Sequence, residues 1–361
     1  MNKILEKYKE AVVQITSPFS FGSGFIVSGW DLIITNYHVV KGNSDVVISG
    51  KNFAKIAAEV LYTDSLLDIA FLKKPDYIQG EFPFLASTDI KIGERVLTIG
   101  HPMHLKYTAT AGIISNNNRE YNGIRLFQID APLNPGNSGG PLINEKAEVA
   151  GLNTLTIKDA DNIGFSVPYF YIKESLELYN AYFGDRVLRC SSCRKVQTVR
   201  DLNNGYCKNC GHKFLKEEYN PEKYKPEGIV KKIEDVIADS GYNPELSRSG
   251  PFFWEIDKDN LPVKIIFLNN KRLLIFDLEV CIIPEDNIAE FYEFVLQQNN
   301  LLKNLIFSLK NNEILLSFII FEDDFNQSSC TLLLKQLIEK GKHYKELLLE
   351  RFMAKPISSS Q

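Results

Sequence analysis

The chain has 361 residues, of which 44% are hydrophobic and 24% charged. That length allows two or three domains with their own cores, and the composition excludes disordered, collagen-like and disulfide-scaffold classes. A formal net charge of −4 excludes indiscriminate whole-surface binding of nucleic acid.

The first ten residues interleave charged and apolar side chains without a continuous apolar core, so no secretory signal is read there and a cytoplasmic location is expected. From residue 11 to 168 the chain breaks into short β-branched and aromatic runs separated by Gly, Asn, Asp and Pro. Strands are predicted over residues 11–15, 24–27, 32–35, 46–49, 57–62, 69–73, 95–99, 112–115, 126–129, 142–143, 147–153 and 163–168. Regular short strands with almost no helical periodicity predict an all-β barrel or sandwich.

Three polar residues interrupt this pattern. His38 ends an apolar strand, Asp68 opens a buried-looking one, and Ser138 lies between glycines in the run Gly136-Asn137-Ser138-Gly139-Gly140. A serine hydroxyl is a poor nucleophile at neutral pH and needs a base. His38 is the candidate base, because imidazole titrates near physiological pH. Asp68 would fix the imidazole tautomer and stabilise the imidazolium. The glycines let the amides of Gly136, Asn137 and Ser138, chiefly those of Gly136 and Ser138, converge on a developing oxyanion. Singly, each residue has an ordinary structural reading; together, in the order His, Asp, Ser on an all-β chain, they point to a chymotrypsin-like double barrel.

Seven segments sharpen this. They are Phe21-Gly22-Ser23-Gly24-Phe25-Ile26-Val27, Ile34-Thr35-Asn36-Tyr37-His38-Val39-Val40, Asp64 through Lys73, Ile92 through Pro102, Thr110 through Ser115, Ala150 through Thr154 and Asn162 through Pro168, besides the serine loop itself. In this order they resemble the HtrA/DegP-like branch of the trypsin-fold serine proteases over residues 10–175. The resemblance implies proteolysis through His38, Asp68 and Ser138 on a polypeptide substrate. It also sets Pro132, six positions before the serine, at the base of the primary specificity pocket. Pro132 cannot select basic side chains, so small or medium aliphatic residues are expected before the scissile bond. Leu133, Asn134, Pro135, Leu152, Asn153, Thr154, Ile163 and Phe165 would line the substrate cleft, and residues 152–155 offer an edge for β-addition of substrate. The chain departs from the family pattern in that no PDZ domain is recognised after the protease. His101 and His104 are read as loop residues.

Residues 168–182 carry Tyr169, Ile172, Leu176 and Tyr179 at helical spacing. Next come Cys190 and Cys193, thirteen further residues, then Cys207 and Cys210. Two Cys-x-x-Cys knuckles at that separation predict a tetrahedral zinc ribbon whose four ligands leave no open position, hence structural zinc. Between Arg186 and Lys213 there are seven Lys or Arg and one Asp. A solvated surface explains this better than nucleic-acid contact, since no row of stacking aromatics accompanies the charges.

The C-terminal third predicts helix at 229–237, strands at 252–256, 263–268 and 272–280, a helix over 286–298 burying Ile288, Phe291, Val295 and Leu296, strands at 305–309 and 314–321, and a long helix from 329 to 352. Cys281 and Cys330 read as buried thiols. The order αβββαββα predicts an α+β domain on an antiparallel sheet. It resembles the type III secretion chaperone-like, or YbjN-like, fold, which implies peptide binding or self-association without chemistry. No apolar run, residues 314–321 included, is long enough to span a bilayer.

The expected organisation is a trypsin-like protease domain over 1–183, a zinc ribbon over 184–216, a linker over 217–225 and a chaperone-like domain over 226–355. The expected function is a serine endopeptidase carrying modules for recruitment or regulation. The alternatives are a peptide-binding protein that does not cleave, and a nucleic-acid adaptor acting through the zinc ribbon.

Overall fold

The computed structural model describes residues 2–101, 107–156, 163–258 and 261–357. The chain divides into two compact units, residues 1–224 and 225–361. His104 lies outside the described residues.

The first unit opens with a helix, α1 (Asn2–Ala11), that the sequence reading did not anticipate. Six strands follow: β1 (Val12–Thr16), β2 (Phe21–Ile26), β3 (Leu32–Thr35), β4 (Asp45–Gly50), β5 (Phe53–Asp64) and β6 (Ile69–Lys73). A single helical turn, α2 (Tyr37–Val40), links β3 to β4. Antiparallel pairing runs β5-β4-β1-β2-β3-β6, and β6 returns to β5 to close the barrel. A second closed antiparallel barrel, in the order β10-β11-β12-β9-β8-β7, is built from β7 (Arg95–Gly100), β8 (Thr108–Tyr121), β9 (Ile124–Ile129), β10 (Pro141–Asn144), β11 (Val149–Thr156) and β12 (Gly164–Pro168). Closure gives each barrel strand a neighbour on both sides, which is how short strands of this kind limit pairing with other chains.

One apolar cluster joins Phe25, Leu32 and Ile34 of the first barrel to Ile143, Leu152 and Val167 of the second. The helix α3 (Tyr169–Asn180) packs on the second barrel and buries Ile172, Leu176 and Tyr179 in this same cluster, as its spacing predicts. The chain then re-enters the first barrel. β13 (Val187–Arg189) pairs in parallel with the end of β5, and β14 (Val196–Thr198) pairs with β13, so the sheet continues to eight strands. The four-cysteine segment therefore grows out of the barrel sheet inside the first unit, and a single helical turn, α4 (Lys216–Tyr219), follows it.

The second unit holds α5 (Gly228–Asp239), α6 (Pro244–Ser247), β15 (Arg248–Gly250), β16 (Phe253–Lys258), β17 (Leu261–Leu268), β18 (Leu273–Ile282), α7 (Ile288–Leu301), β19 (Ile306–Lys310), β20 (Glu313–Phe321) and α8 (Gln327–Phe352). Its antiparallel sheet runs β15-β16-β17-β18-β20-β19. Strand β17 alternates buried and half-buried residues, presenting Leu261, Val263, Ile265 and Phe267 to the helices. Helix α8 buries Cys330, Leu334, Leu337, Gly341, Tyr344, Leu348 and Phe352, a stripe with three- and four-residue steps. Gly341 lets α8 approach the sheet, because a Cβ there would lie 2.4 Å from Leu278 Cδ1.

Two expectations for this unit need correction. In α7 only Phe291 and Val295 are buried, whereas Ile288 and Leu296 are 41% and 65% exposed. Ile288 is the first residue of the helix, and Leu296 sits one residue, about 100° around the axis, from the buried Val295. The short α6 and β15 precede the expected sheet, nucleated by the Asn243 side chain accepting from the N–H groups of Glu245 and Leu246.

Candidate active site

His38 stands on α2. Its neighbours Val39 and Val40 are almost fully buried and anchor the turn, while the imidazole is 45% exposed. Asp68 lies just before β6 in a left-handed conformation (φ 55°). Its Oδ1 accepts from the His38 backbone N–H at 3.0 Å, and its Oδ2 faces His38 Nδ1 at 2.8 Å. A carboxylate cannot donate, so this contact puts the neutral ring's proton on Nδ1 and leaves Nε2 able to accept one. The Asn36 side chain donates to the Asp68 carbonyl at 2.9 Å and fixes the same turn.

Thr154 of β11 joins these groups to the serine. Its hydroxyl donates to Asp68 Oδ2, and its carbonyl accepts from Ser138 Oγ at 2.9 Å. The Ser138 hydroxyl is thus linked to the His38–Asp68 pair through Thr154; among the described residues it bonds to the Thr154 carbonyl and makes no hydrogen bond to His38.

The serine loop takes its shape from two glycines. Gly136 and Gly139 adopt φ of 104° and 85°, and a Cβ on Gly139 would lie 2.0 Å from the Ser23 carbonyl oxygen. The Asn137 N–H closes a turn on Asn134 O at 2.9 Å. The N–H groups of Gly136 and Ser138 donate to no protein acceptor among the described residues, which leaves two amides for an anion.

Ser23 ties this loop to the first barrel. Fully buried, it donates its N–H to Ser138 O at 2.8 Å and its hydroxyl to Gly136 O at 2.7 Å, and accepts from the His101 N–H at 3.0 Å. Sequence reasoning found Ser23 only as part of a Gly-Ser-Gly opening, and His101 only as a loop residue. His101 is in fact 2% exposed, with its ring 4.8 Å from that of Tyr107.

Of the residues expected around the substrate, Pro132, Asn134 and Pro135 are exposed, and Leu133 and Ile163 half-buried. The Pro132 carbonyl accepts from Thr110 Oγ1 at 2.7 Å. Leu152, Asn153, Thr154 and Phe165 are buried. Leu152 and Phe165 belong to the inter-barrel core, and the Asn153 amide is engaged by Pro141 O and Ser166 Oγ. Side chains turned inward in this way leave only backbone to face a ligand. The β11–β12 ladder is irregular between Asn153 and Thr156, and this stretch is where β11 backbone is not held by a regular partner.

The four predicted metal ligands also meet. The Sγ atoms of Cys190, Cys193, Cys207 and Cys210 lie within 4.8 Å of one another. Two matching knuckles present them: Arg194 N–H bonds to Cys190 O at 2.8 Å, and Gly211 N–H to Cys207 O at 2.9 Å. Burial opposes charge on Cys207, but the N–H groups of Cys210 and Asn209 and the Gln197 side chain outweigh it and pull this thiol down to about 6. Donor set and convergence fit a tetrahedral metal of the zinc-ribbon kind. The local basic excess is partly internal. Arg189, only 8% exposed, turns inward onto Asp64 and Glu174.

Residues 22–152 match the trypsin-like peptidase domain family. The putative serine protease HhoA of Synechocystis sp. is 38% identical over 158 residues, 41% of this chain and 40% of that protein. Serine protease HTRA4 of Mus musculus is 39% identical over 174 residues, covering 45% of this chain and 35% of that protein. Serine protease Do-like HtrA of Bacillus subtilis is 37% identical over 172 residues, covering 43% and 38%. The chain spans about two fifths of the length of these curated relatives. The first unit therefore contains a trypsin-fold, HtrA-like serine-protease domain. A cysteine cluster able to hold a metal accompanies it, and a separate α+β domain follows.

Proposed function

We propose that this chain is a serine endopeptidase that cleaves polypeptides through an acyl-enzyme formed on Ser138. The observation that carries this reading is the pairing of His38 Nδ1 with Asp68, together with Thr154 contacting both Asp68 and Ser138. Rotation of the Ser138 hydroxyl from the Thr154 carbonyl to His38 Nε2 delivers its proton to the ring as Oγ attacks the substrate carbonyl. Asp68 keeps Nδ1–H in place and stabilises the imidazolium. The amides of Gly136 and Ser138 receive the oxyanion, and His38 then protonates the leaving amine. Water repeats the sequence on the ester. Labelling of Ser138 by an active-site fluorophosphonate tests the reading; a folded chain that resists labelling and cleaves no peptide would overturn it in favour of peptide binding without cleavage.

Pro132 supports an aliphatic preference before the scissile bond, which a positional-scanning peptide library checks; strict Lys or Arg cleavage would exclude it. Cys190, Cys193, Cys207 and Cys210 would hold a structural zinc, which cross-links the two knuckles without taking part in the reaction. Metal analysis of the purified chain, against Cys193→Ser, tests this. Six cysteines without a disulfide favour a reducing compartment and support the cytoplasm. For self-association the second unit offers β19, an edge strand whose Ile306 and Leu309 are each 51% exposed. Sedimentation of the chain over a concentration series reads it.

A further inference from the structure

We propose that the four-cysteine module is a positioning element of the catalytic site, acting through Arg189 on the Asp64–Asp68 turn. This rests on the serine-protease reading of His38, Asp68 and Ser138, and it assigns the module a part in that site beyond holding a metal.

Strand β13 is the only parallel partner among the described strands, and its register sets Arg189 opposite Asp64, the last residue of β5. The Asp64 carboxylate, 1% exposed, shapes the chain that leads to Asp68: Oδ1 accepts from the N–H groups of both Leu66 and Leu67 at 3.0 Å. Asp68 follows directly, in its left-handed conformation, and holds His38. On its other side, Asp64 Oδ2 lies 3.4 Å from Arg189 Nη1. The same guanidinium donates from Nη2 to Glu174 Oε1 of α3 at 2.6 Å and from Nε to the carbonyl of Arg194 at 3.2 Å.

Arg189 immediately precedes Cys190, and Arg194 immediately follows Cys193. The guanidinium thus touches three things at once: the turn before the catalytic carboxylate, the helix on the second barrel, and the first cysteine knuckle. Its third contact exists only while that knuckle is closed, because Arg194 is held by its own N–H bond to Cys190 O. Burial already pushes the Asp64 carboxyl above the usual carboxylate range, against the Leu67 N–H and Arg189. An open knuckle leaves Arg189 free to withdraw and Asp64 as a buried charge without its cation. The turn then relaxes toward water, and Asp68 shifts with it. The module thereby ties proteolysis to metal occupancy and to thiol reduction.

The test uses the full-length, zinc-loaded chain and two readouts. One is the low-field proton resonance of His38 Nδ1–H on Asp68, which needs no peptidase turnover. The other is kcat and KM on a peptide. Arg189→Lys keeps a charge but loses the fork, and a displacement of about 1 Å at the reacting groups corresponds to a loss of roughly 10²-fold. The expected result is a kcat lower by about 10- to 100-fold, KM within about twofold, and a weakened resonance. Cys193→Ser, or chelation of the wild type, should weaken the same resonance, with zinc restoring it after chelation. Glu174→Gln, on a side chain 47% exposed, leaves the fold intact and should lower kcat by only about threefold. A resonance and kcat unchanged in both Arg189→Lys and Glu174→Gln overturn the proposal, as does a folded metal-free chain with a full-strength resonance. Should either substitution of the guanidinium network unfold the chain, the other variant and chelation decide. A wild-type chain without peptidase activity whose resonance still follows the metal refutes the protease reading and leaves the linkage standing.

Discussion

Each of the two compact units buries a guanidinium–carboxylate pair, and the pairs are built differently. In the second unit Arg248 engages Glu234 of α5 with both arms, at 2.6 and 2.7 Å, and Trp254 Nε1 adds a bond to the same carboxylate at 3.2 Å. All three residues lie close in sequence, and the pair pins α5 to the first strands of the sheet. In the first unit Arg189 meets Asp64 at a looser 3.4 Å across 125 positions of chain, and shares itself with Glu174 and a backbone carbonyl. The bidentate pair is saturated and touches no chemistry. The shared one sits four residues from Asp68. A buried ion pair is weak evidence for stability by itself, because desolvation offsets attraction, so what distinguishes these two is what each orients.

Four measurements break or sharpen this contrast. The largest effect belongs to Ser138→Ala, which removes the nucleophile and should lower kcat by roughly 10⁶-fold, while the thermal transitions of both units stay in place; steady-state hydrolysis and calorimetry read the two sides. Asp68→Asn should cost about 10⁴-fold in kcat, because an amide that can donate to Nδ1 favours the wrong tautomer. Its KM should stay near the wild-type value, and a full pH profile checks that lost rate is not a shifted optimum. In the other unit Glu234→Ala strips Arg248 and Trp254 of their acceptor and should destabilise by about 3–5 kcal/mol, seen as an earlier denaturant midpoint of that unit with the kcat of the first unit unchanged. A matching loss of kcat would erase the division between the units. The smallest effect is that of Thr154→Val, which removes one hydroxyl from Asp68 and should lower kcat/KM by about tenfold, the equivalent of one hydrogen bond to a charged group; equal activity would show that His38 alone orients the carboxylate.

Local signals made much of this molecule readable in one dimension. Twelve β-branched and aromatic runs correspond to the twelve barrel strands, because such side chains favour strands and the Gly, Asn, Asp and Pro between them mark the ends, even where every residue is buried, as in β3, β10 and β12. His38, Asp68 and Ser138 stood out as polar residues interrupting apolar strands, and the cysteines by their spacing. Helix α1 shows in the helical spacing of Ile4, Leu5, Tyr8 and Ala11, whereas α2 leaves no such mark. The second is one turn long, held by burial of Val39 and Val40 in the core and not by periodicity. Thr154 reads in sequence as an ordinary strand threonine, and its hydroxyl acquires a part only when the two barrels close on Asp68. Ser23 is likewise silent until the loop carrying Ser138 is laid across it.

The sequence by itself determined the strand-rich class, the candidate His38, Asp68 and Ser138 and the four-cysteine set, since each depends on side-chain chemistry and short spacing. Tertiary structure alone decided that β13 joins the barrel sheet and that Arg189 faces Asp64 instead of solvent. The physical reason is one of range. Hydrogen bonding between strands and the pairing of buried charges are settled by which segments meet in space, and no residue near Arg189 in the chain records that its partner lies 125 positions away.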